Sequence, residues 1–540
     1  MWQQNYIPLM QSVGVSSLVA ALPVFALLFL LGVLKKPSWM ASLAGLGAAV
    51  LVAAFVYQMP VNLILTSTTY GAAFGLFPIG WVVFWAVVLY RMTVITGKFE
   101  VIKDSVGSLT PDRRLQALLI AFAFGAFIEG AAGFGTPVAV AAAMLAGLGF
   151  SPFYASAICL LANTVPVAFG SIGIPVITLA GITALPVGAL SANVGRLCAP
   201  MSLFVPAYLI LVMGGVRGLM GVFPAVLVCG VAFAGTQFYV SNFIGPQLTD
   251  IMASLVAIAA LVVLLKAWKP RDKFVLEGEL SAHLPRQHST AETLQAWMPY
   301  GLLVVFVLLW GWDPVKVVLN KATFVFGWPG LHNLILRAAP VVPKPSPYAA
   351  SYTLSLLSAS GTACMLASFC AAAVLRMSFA ETMKTIGSTA RQLAFPMLTF
   401  AAVLGLAFLM NYSGATATLG LAFSGTGAMF PFFSALLGWL GVFLTGSDTS
   451  ANALFGNLQV VTAKTLGLNP ILMAAANSGG GVMGKMISLQ SIAVAAAATG
   501  LPSSDESKLF RFTLRHSIFL ASVLGLLVVF YSYVAPTWVR

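Results

Sequence analysis

Phe127-Ile128-Glu129-Gly130-Ala131-Ala132-Gly133-Phe134-Gly135 breaks an apolar run with glycines and a single carboxylate. Far downstream, Phe443-Leu444-Thr445-Gly446-Ser447-Asp448-Thr449-Ser450 does the same. Each is followed by another interruption: Asn163-Thr164-Val165-Pro166 after the first, Asn477-Ser478-Gly479-Gly480-Gly481 after the second. The landmarks keep step, with Pro78, Gly97, Gly130, Pro152 and Asn163 set against Pro396, Gly414, Gly446, Pro470 and Asn477. Gly/Pro-interrupted apolar segments at matching places in two halves point to the binding site of a secondary transporter.

Composition sets the solvent. Of 540 residues, 60% are hydrophobic and only 8% charged, and the mean hydropathy is +0.97. A soluble domain carries about 25% charged residues, so this chain reads as a polytopic membrane protein in a lipid bilayer. The net charge of +13 reads as topology signals in cytoplasmic loops, with no nucleic-acid partner. Cys159, Cys198, Cys229, Cys364 and Cys370 all lie in apolar stretches and the four histidines are scattered. No metal site, disulfide framework or cofactor motif follows from them. No basic residue precedes the first apolar run and Lys35-Lys36 follow it, which predicts a retained first helix over a cleaved signal.

Apolar runs long enough to span lie near 16–34, 39–58, 75–95, 198–215, 218–240, 248–268, 294–311, 350–375, 392–411 and 510–533. Placing Lys35-Lys36 inside puts the N-terminus outside. The later basic clusters then fall inside only if 115–149 and 431–465 enter and return on one side while 152–182 and 470–500 each cross once. The expectation is an all-α protein of about 12 crossings plus two re-entrant hairpins, with both termini outside. The helix at 75–95 and its counterpart at 392–411 then run in opposite directions, so the repeat is inverted and the hairpin tips meet near the bilayer midplane. Non-helical backbone at that depth is tolerated only where protein or a water-filled cavity satisfies it.

The chain divides accordingly. Residues 1–74 are scaffold helices, and 75–215 is the first repeat with hairpin 115–149 and broken helix 152–182. Residues 216–391 are further scaffold, with a cytoplasmic connector at 269–293 and a proline-rich external loop at 312–349. The second repeat is 392–500, with hairpin 431–465 and broken helix 470–500, and 501–540 is a C-terminal helix. Residues 97–112 read as an interfacial amphipathic helix. Trp2, Trp39, Trp312 and Trp538 read as interfacial anchors.

Glu129 sits at a hairpin tip in an otherwise apolar run. A charge at the bilayer centre costs at least about 2.5–3.5 kcal/mol, which favours the neutral form and suits a reversible proton carrier. The competing role is a fixed cap on backbone N–H groups. Asp448 holds the related place in the second hairpin and could carry a proton or cap the following half-helix. Lys485 is the only Lys or Arg in the apolar span 470–500. A buried ammonium needs a partner, either a carboxylate such as Asp448 or an anionic substrate. Asn163, Thr164, Asn477, Ser478, Ser488 and Gln490, with Ser447, Thr449, Ser450 and the tip glycines Gly133 and Gly135, offer neutral hydrogen bonds at the breaks. Half-helix N-termini add unpaired N–H groups and a positive dipole end, a chemistry suited to a small carboxylate.

These segments resemble a known family. Gly-Ala-Phe-Ile-Glu-Gly-Ala-Ala-Gly-Phe-Gly (125–135), Gly-Trp-Leu-Gly-Val-Phe-Leu-Thr-Gly-Ser-Asp-Thr-Ser (438–450), Asn-Phe-Ile-Gly-Pro (242–246) and Gly-Lys-Met-Ile-Ser (484–488) are similar to the bacterial L-lactate permeases. So are Trp2-Gln3-Gln4-Asn5-Tyr6 and Leu509-Phe510-Arg511-Phe512-Thr513, and the likeness covers nearly the whole chain. Thr136 and Leu489 depart from the family's pattern, where Ala and Pro are expected. The resemblance implies proton-coupled uptake of L-lactate, with D-lactate and glycolate, across the bacterial inner membrane. It also implies an elevator movement of hairpins and broken helices against a static scaffold. Carriers of that kind are often homodimers, although no interface pattern is legible in this chain.

The reading is therefore a 2-hydroxymonocarboxylate:proton symporter and not an enzyme. Lys485, Asn163, Asn477 and hairpin N–H groups hold the substrate, and Glu129 or Asp448 carries the proton. A sodium-coupled carboxylate carrier and, in another class, an anion channel are the alternatives. No nucleophile–base set supports a membrane enzyme.

Overall fold

The computed structural model describes residues 1–34, 36–133, 136–272, 274, 286–342 and 344–539. Among them, 11 helices are long and apolar enough to cross a membrane, or up to 13 if each of two bent pairs is one span. The bent pairs are Pro152–Ala162 with Val167–Thr183, at 64°, and Pro470–Ile487 with Leu489–Thr499, at 42°. These are the first and second broken helices. Arg113–Ala131 and Thr136–Gly147 form the first hairpin; Phe430–Thr445 and Asp448–Thr465 form the second.

Local chemistry sets these starts and turns. Asp112 caps the first hairpin by accepting from the N–H groups of Arg114 and Leu115. Ser151 and Asn469 cap the two broken helices, each followed by a proline at the first helical position. The second hairpin reverses at Gly446, whose φ of +72° is the left-handed conformation that favours glycine. The 18-residue window of Arg113–Ala131 is 100% buried, against 28–61% for the other spans, so this arm sits inside protein and not in lipid. Outside it, Lys98–Gly107 buries Phe99, Ile102 and Val106 on one face, as an amphipathic helix requires.

The helices pack in two groups. Ser38–Leu51, Val61–Phe74 and Phe379–Ser413 pack together, and Thr290–Gly311 packs with Ser360–Val374 and Trp81–Ile95. The hairpins and broken helices pack with Val187–Gly221, Phe223–Phe243, Thr249–Ala267 and Ser503–Tyr533. Within the second group the halves cross. The latter part of the first broken helix lies on the second hairpin's returning arm, and Leu489–Thr499 lies on the first hairpin's returning arm.

Three expectations are corrected. The helix from Pro470 runs unbroken through Asn477–Gly481, and the break falls at Lys485–Ser488. The glycines serve approach instead: a Cβ on Gly480 would collide with the Ala435 carbonyl, one on Gly438 with that of Asn477, and one on Gly484 with that of Trp439. Small residues at such seams let membrane helices touch backbone to backbone. Next, 350–375 is not a full span: the strand Ser351–Ser355 precedes Ser360–Val374, a helix of 15 residues. Finally, the proline-rich loop at 312–349 is structured, so the fold is all-α only in its membrane part. Thr323–Gly327, rich in Phe and Val, pairs antiparallel with Ser351–Ser355. Ile335–Arg337 pairs parallel with Trp2–Gln3 and antiparallel with Ser346–Pro347. Trp2 is thus a strand residue and not a free interfacial anchor. Gln4 reaches on from that strand and donates to the carbonyls of Asn411 and Tyr412, which lie where Phe379–Ser413 ends.

The base of the first hairpin is pinned from the connector. The fully buried Arg114 guanidinium meets Asp272 and Asp112, each at 2.7 Å, and lies over the Phe274 ring. The Arg114 hydrogen bond holds Asp272, outside the spanning helices, below the usual carboxylate range. The sign follows: this stabilisation is present at neutral pH and is lost only as pH falls through that lowered value. Asp272→Asn should therefore lower thermal stability at neutral pH by roughly 0.5–1 kcal/mol, since Asp272 is half-exposed and screened. Below the carboxylate range the variant and wild type should converge. Gly480→Ala should cost about 1–3 kcal/mol or more by overpacking. Gly479→Ala, whose Cβ would meet Leu197 at an ordinary 3.5 Å, should melt like wild type.

Candidate functional site

A cavity of about 80 Å³ is lined by Glu129 from the first hairpin and by Val167, Gly170, Ser171, Ile174 and Pro175 from the first broken helix. The second hairpin adds Gly446, Ser447, Asp448 and Thr449, and the second broken helix adds Lys485 and Gln490. Glu129, Asp448 and Lys485 are 5%, 3% and 7% exposed. One cation and two carboxyl groups therefore face one small space inside an apolar body.

The Lys485 Nζ donates to the Gly446 carbonyl at 2.6 Å. That carbonyl closes the C-terminal end of Phe430–Thr445, where the helix dipole favours a cation. Asp448 begins the next helix, where the dipole favours an anion. Its Oδ2 accepts from the Ser478 hydroxyl at 2.5 Å and from the Asn452 amide at 3.2 Å, while Oδ1 has no partner. Glu129 Oε2 and the Asn163 amide are likewise buried without a close hydrogen bond, although the Asn163 amide lies beside the Glu129 carboxyl. Lys485 lies within electrostatic reach of both carboxyl groups yet makes no ion pair with either.

Glycines shape this space as donors alone could not. A Cβ on Gly170 would lie 2.6 Å from Glu129 Oε1, and one on Gly481 would strike Asp448 Oδ1. The first broken helix continues through Ser171, Ile172 and Gly173 at φ of 46°, 61° and 74°, a left-handed turn. A β-branched residue there is strained by about 1–3 kcal/mol. The Ser171 hydroxyl ties the turn to the Ala132 carbonyl at 3.1 Å.

The sequence-predicted residues separate into two sets. Glu129, Ser447, Asp448, Thr449, Lys485 and Gln490 line the cavity. Ser447 and Ser488 also cap helices, accepting from the N–H groups of Ser450 and Ser491. Asn163 and Thr164 are buried behind the lining, and the Thr164 hydroxyl donates to the Leu161 carbonyl. Asn477 and Ser478 face the second hairpin. The Asn477 amide donates to Asn452 Oδ1 at 2.9 Å and accepts from Gln459 at 3.0 Å. Gly133 backs onto Ser171, and Gly135 lies outside the described residues. Sequence reasoning missed Ser171, Asn452 and Asp250. The string Gly170-Ser171-Ile172-Gly173-Ile174-Pro175 carried a turn signal that could have located the first.

A cleft of about 770 Å³ leads to the site from Lys36, Glu506 and Ser507, and reaches Thr445, Gly446, Ser488 and Gln490. A side cavity of about 260 Å³ lies between Trp39, Phe395 and Phe400 on one wall and Ser447 and Ser450 on the other. Gln490 borders all three spaces, so it stands where the large cleft meets the small cavity.

Residues 16–535 match the family described as L-lactate permease. The chain is 46% identical to an L-lactate permease of Bacillus subtilis (strain 168), over 96% of each chain. It is 44% identical to an L-lactate permease of Salmonella typhimurium, over 100% of this chain and 99% of that one. To the glycolate permease GlcA of Escherichia coli (strain K12) it is 43% identical, over 99% and 98%.

Asn477 tests the separation of lining from support. Asn477→Ala should cost about 1–3 kcal/mol of stability by leaving Asn452 Oδ1 without its donor and Gln459 without one of its two acceptors. It should leave the KM for substrate within two- to three-fold of wild type. A tenfold rise in KM in a stable protein would return Asn477 to the binding surface.

Proposed function

The chain belongs to the L-lactate permease family, a multi-pass family of the bacterial inner membrane, and from that premise we propose that it imports L-lactate, D-lactate and glycolate by proton symport. The observation that carries this reading is the single small cavity faced by Lys485, Glu129 and Asp448. Its volume of about 80 Å³ has room for roughly five or six water-sized groups. That suits a compact monocarboxylate.

Charge counting gives the coupling. With both carboxyls ionised the site is net negative, and an incoming carboxylate is repelled. Each like charge at about 4–8 Å costs roughly 2–4 kcal/mol at an effective dielectric of 20. A proton taken up on one carboxyl removes that term, so anion and proton favour each other's binding. The helix dipoles divide the labour. Asp448 sits at a helix N-terminus and remains the counter-charge to Lys485. Glu129 lies in the last turn of Arg113–Ala131, where the dipole disfavours an anion, so Glu129 carries the proton. Lys485 then takes the substrate carboxylate, and Ser447, Thr449 and Gln490 offer hydrogen bonds to the 2-hydroxyl.

The inverted repeat and an elevator movement remain part of the proposal. They are supported by the crossed packing of each broken helix on the opposite hairpin.

The decisive experiment is labelled L-lactate uptake into proteoliposomes with an alkaline interior and no sodium. Wild type should accumulate lactate above equilibrium and lose it on adding an uncoupler. Lys485→Ala should raise KM at least tenfold, and Glu129→Gln should abolish accumulation. Uptake that requires sodium, or a Glu129→Gln variant that still concentrates lactate, overturns the coupling scheme.

A further inference from the structure

One buried carboxyl in the membrane body has no place in that scheme. Asp250 opens the helix Thr249–Ala267, is 1% exposed, and both of its carboxyl oxygens lack a hydrogen-bond partner. It reaches the hairpin tip directly: a Cβ on Gly130 would lie 2.9 Å from the Asp250 Cβ. Glu129 is the neighbouring residue, and the two carboxyl groups act on each other electrostatically. Cys198, on Val187–Gly221, lies within electrostatic reach of Asp448 and of Asp250. Glu129 and Cys198 are thus the titratable groups facing Asp250 from the elements packed on it, and neither supplies a positive charge.

A buried carboxyl with no protein donor or cation beside it favours its neutral form. The ordinary structural roles of a first-turn aspartate fail on inspection. It caps nothing, pairs with no base and binds no backbone N–H. Two buried carboxyl groups beside one hairpin tip repel each other when both are ionised, so a single proton on one or the other is favoured. Their positions add a direction. Glu129 borders the substrate cavity, whereas Asp250 lies behind the tip, off that lining, on a helix packed against the hairpin.

We propose that Asp250 is the partner carboxyl of Glu129 in proton coupling, the second seat between which the coupled proton moves. In the transfer the Glu129 carboxylic acid gives its proton to the Asp250 carboxylate. This leaves Glu129 ionised and Asp250 neutral, with the charge of the pair unchanged. The return is the reverse step. The proposal rests on the reading of Glu129 as the proton carrier.

The test separates net proton movement from substrate movement. Proteoliposomes carrying wild type, Glu129→Gln, Asp250→Asn, Asp250→Ser and Asp250→Glu are assayed two ways. One assay is lactate accumulation driven by a pH gradient. The other is lactate–lactate exchange at equal pH, which needs only that the loaded carrier cross and return. A neutral amide or hydroxyl mimics the protonated seat, so Asp250→Asn and Asp250→Ser should lose accumulation at least tenfold and keep exchange within about three-fold. Asp250→Glu should recover accumulation. Wild-type accumulation in Asp250→Asn, beside loss in Glu129→Gln, overturns this inference and leaves the Glu129 reading standing. Loss of exchange in both neutral variants makes Asp250 structural and equally overturns it. Retained accumulation in Glu129→Gln defeats the underlying reading instead.

Discussion

A charge enclosed by apolar protein must be offset by charges, dipoles or protons that are already in place, and the turn at Gly446 is where this chain meets that demand. The helix ending there presents carbonyls to Lys485, and the helix starting two residues later presents its positive end to Asp448. One reversal thus furnishes both poles. It is possible only because Gly446 adopts a left-handed backbone and because Gly481, without a side chain, leaves room for the Asp448 carboxyl. The first hairpin offers no such support to Glu129. The two carboxyls therefore differ by position in the fold and not by residue type, and that asymmetry is what a symporter needs from two acids in one site.

Much of this was legible in the sequence. Charges and small polar residues inside long apolar runs drew attention to both helix pairs, and Glu129, Asp448 and Lys485 from those runs line one cavity. What failed was the reading of Asn477-Ser478-Gly479-Gly480-Gly481 as a break. A glycine run can loosen a helix or let it approach another, and the difference is written in the partner. Ala435, Gly438 and Trp439, close together on Phe430–Thr445, receive Gly480, Asn477 and Gly484. Asp250 was hidden for a related reason: an acid in a helix's first turn is ordinary, and nothing local says that the turn is buried. The external strands were masked by prolines, since pairing of Trp2 with Ile335 is a long-range event no local pattern encodes.

The same contacts explain how a charge state at one point becomes a property of a large body. Asn452 joins three elements. Its amide donates to Asp448, to the Ser478 hydroxyl and to the Pro175 carbonyl at 3.1–3.2 Å. The second hairpin, the second broken helix and the first broken helix are therefore held to one another at the carboxyl itself. Gln459 and Asn477 continue that seam toward Ser434. In an apolar setting such an amide chain resists separation, because each group parted from its partner would be left unsatisfied.

The left-handed turn at Ser171–Gly173 completes this logic. Strain persists where surrounding structure over-determines it, and here three contacts do so. Gly170 is pressed against Glu129, Ser171 is bonded to Ala132 at the hairpin tip, and a Cβ on Gly173 would lie 2.6 Å from the Pro246 carbonyl. Pro246 stands just before the helix that carries Asp250. The strained turn thus touches the tip bearing one carboxyl and the loop preceding the other. A shift of the hairpin tip would therefore press on both this turn and, through it, the loop before Asp250. On the proposed coupling, a change in proton occupancy of the Glu129–Asp250 pair is felt at the left-handed turn and so in the first broken helix beside the cavity.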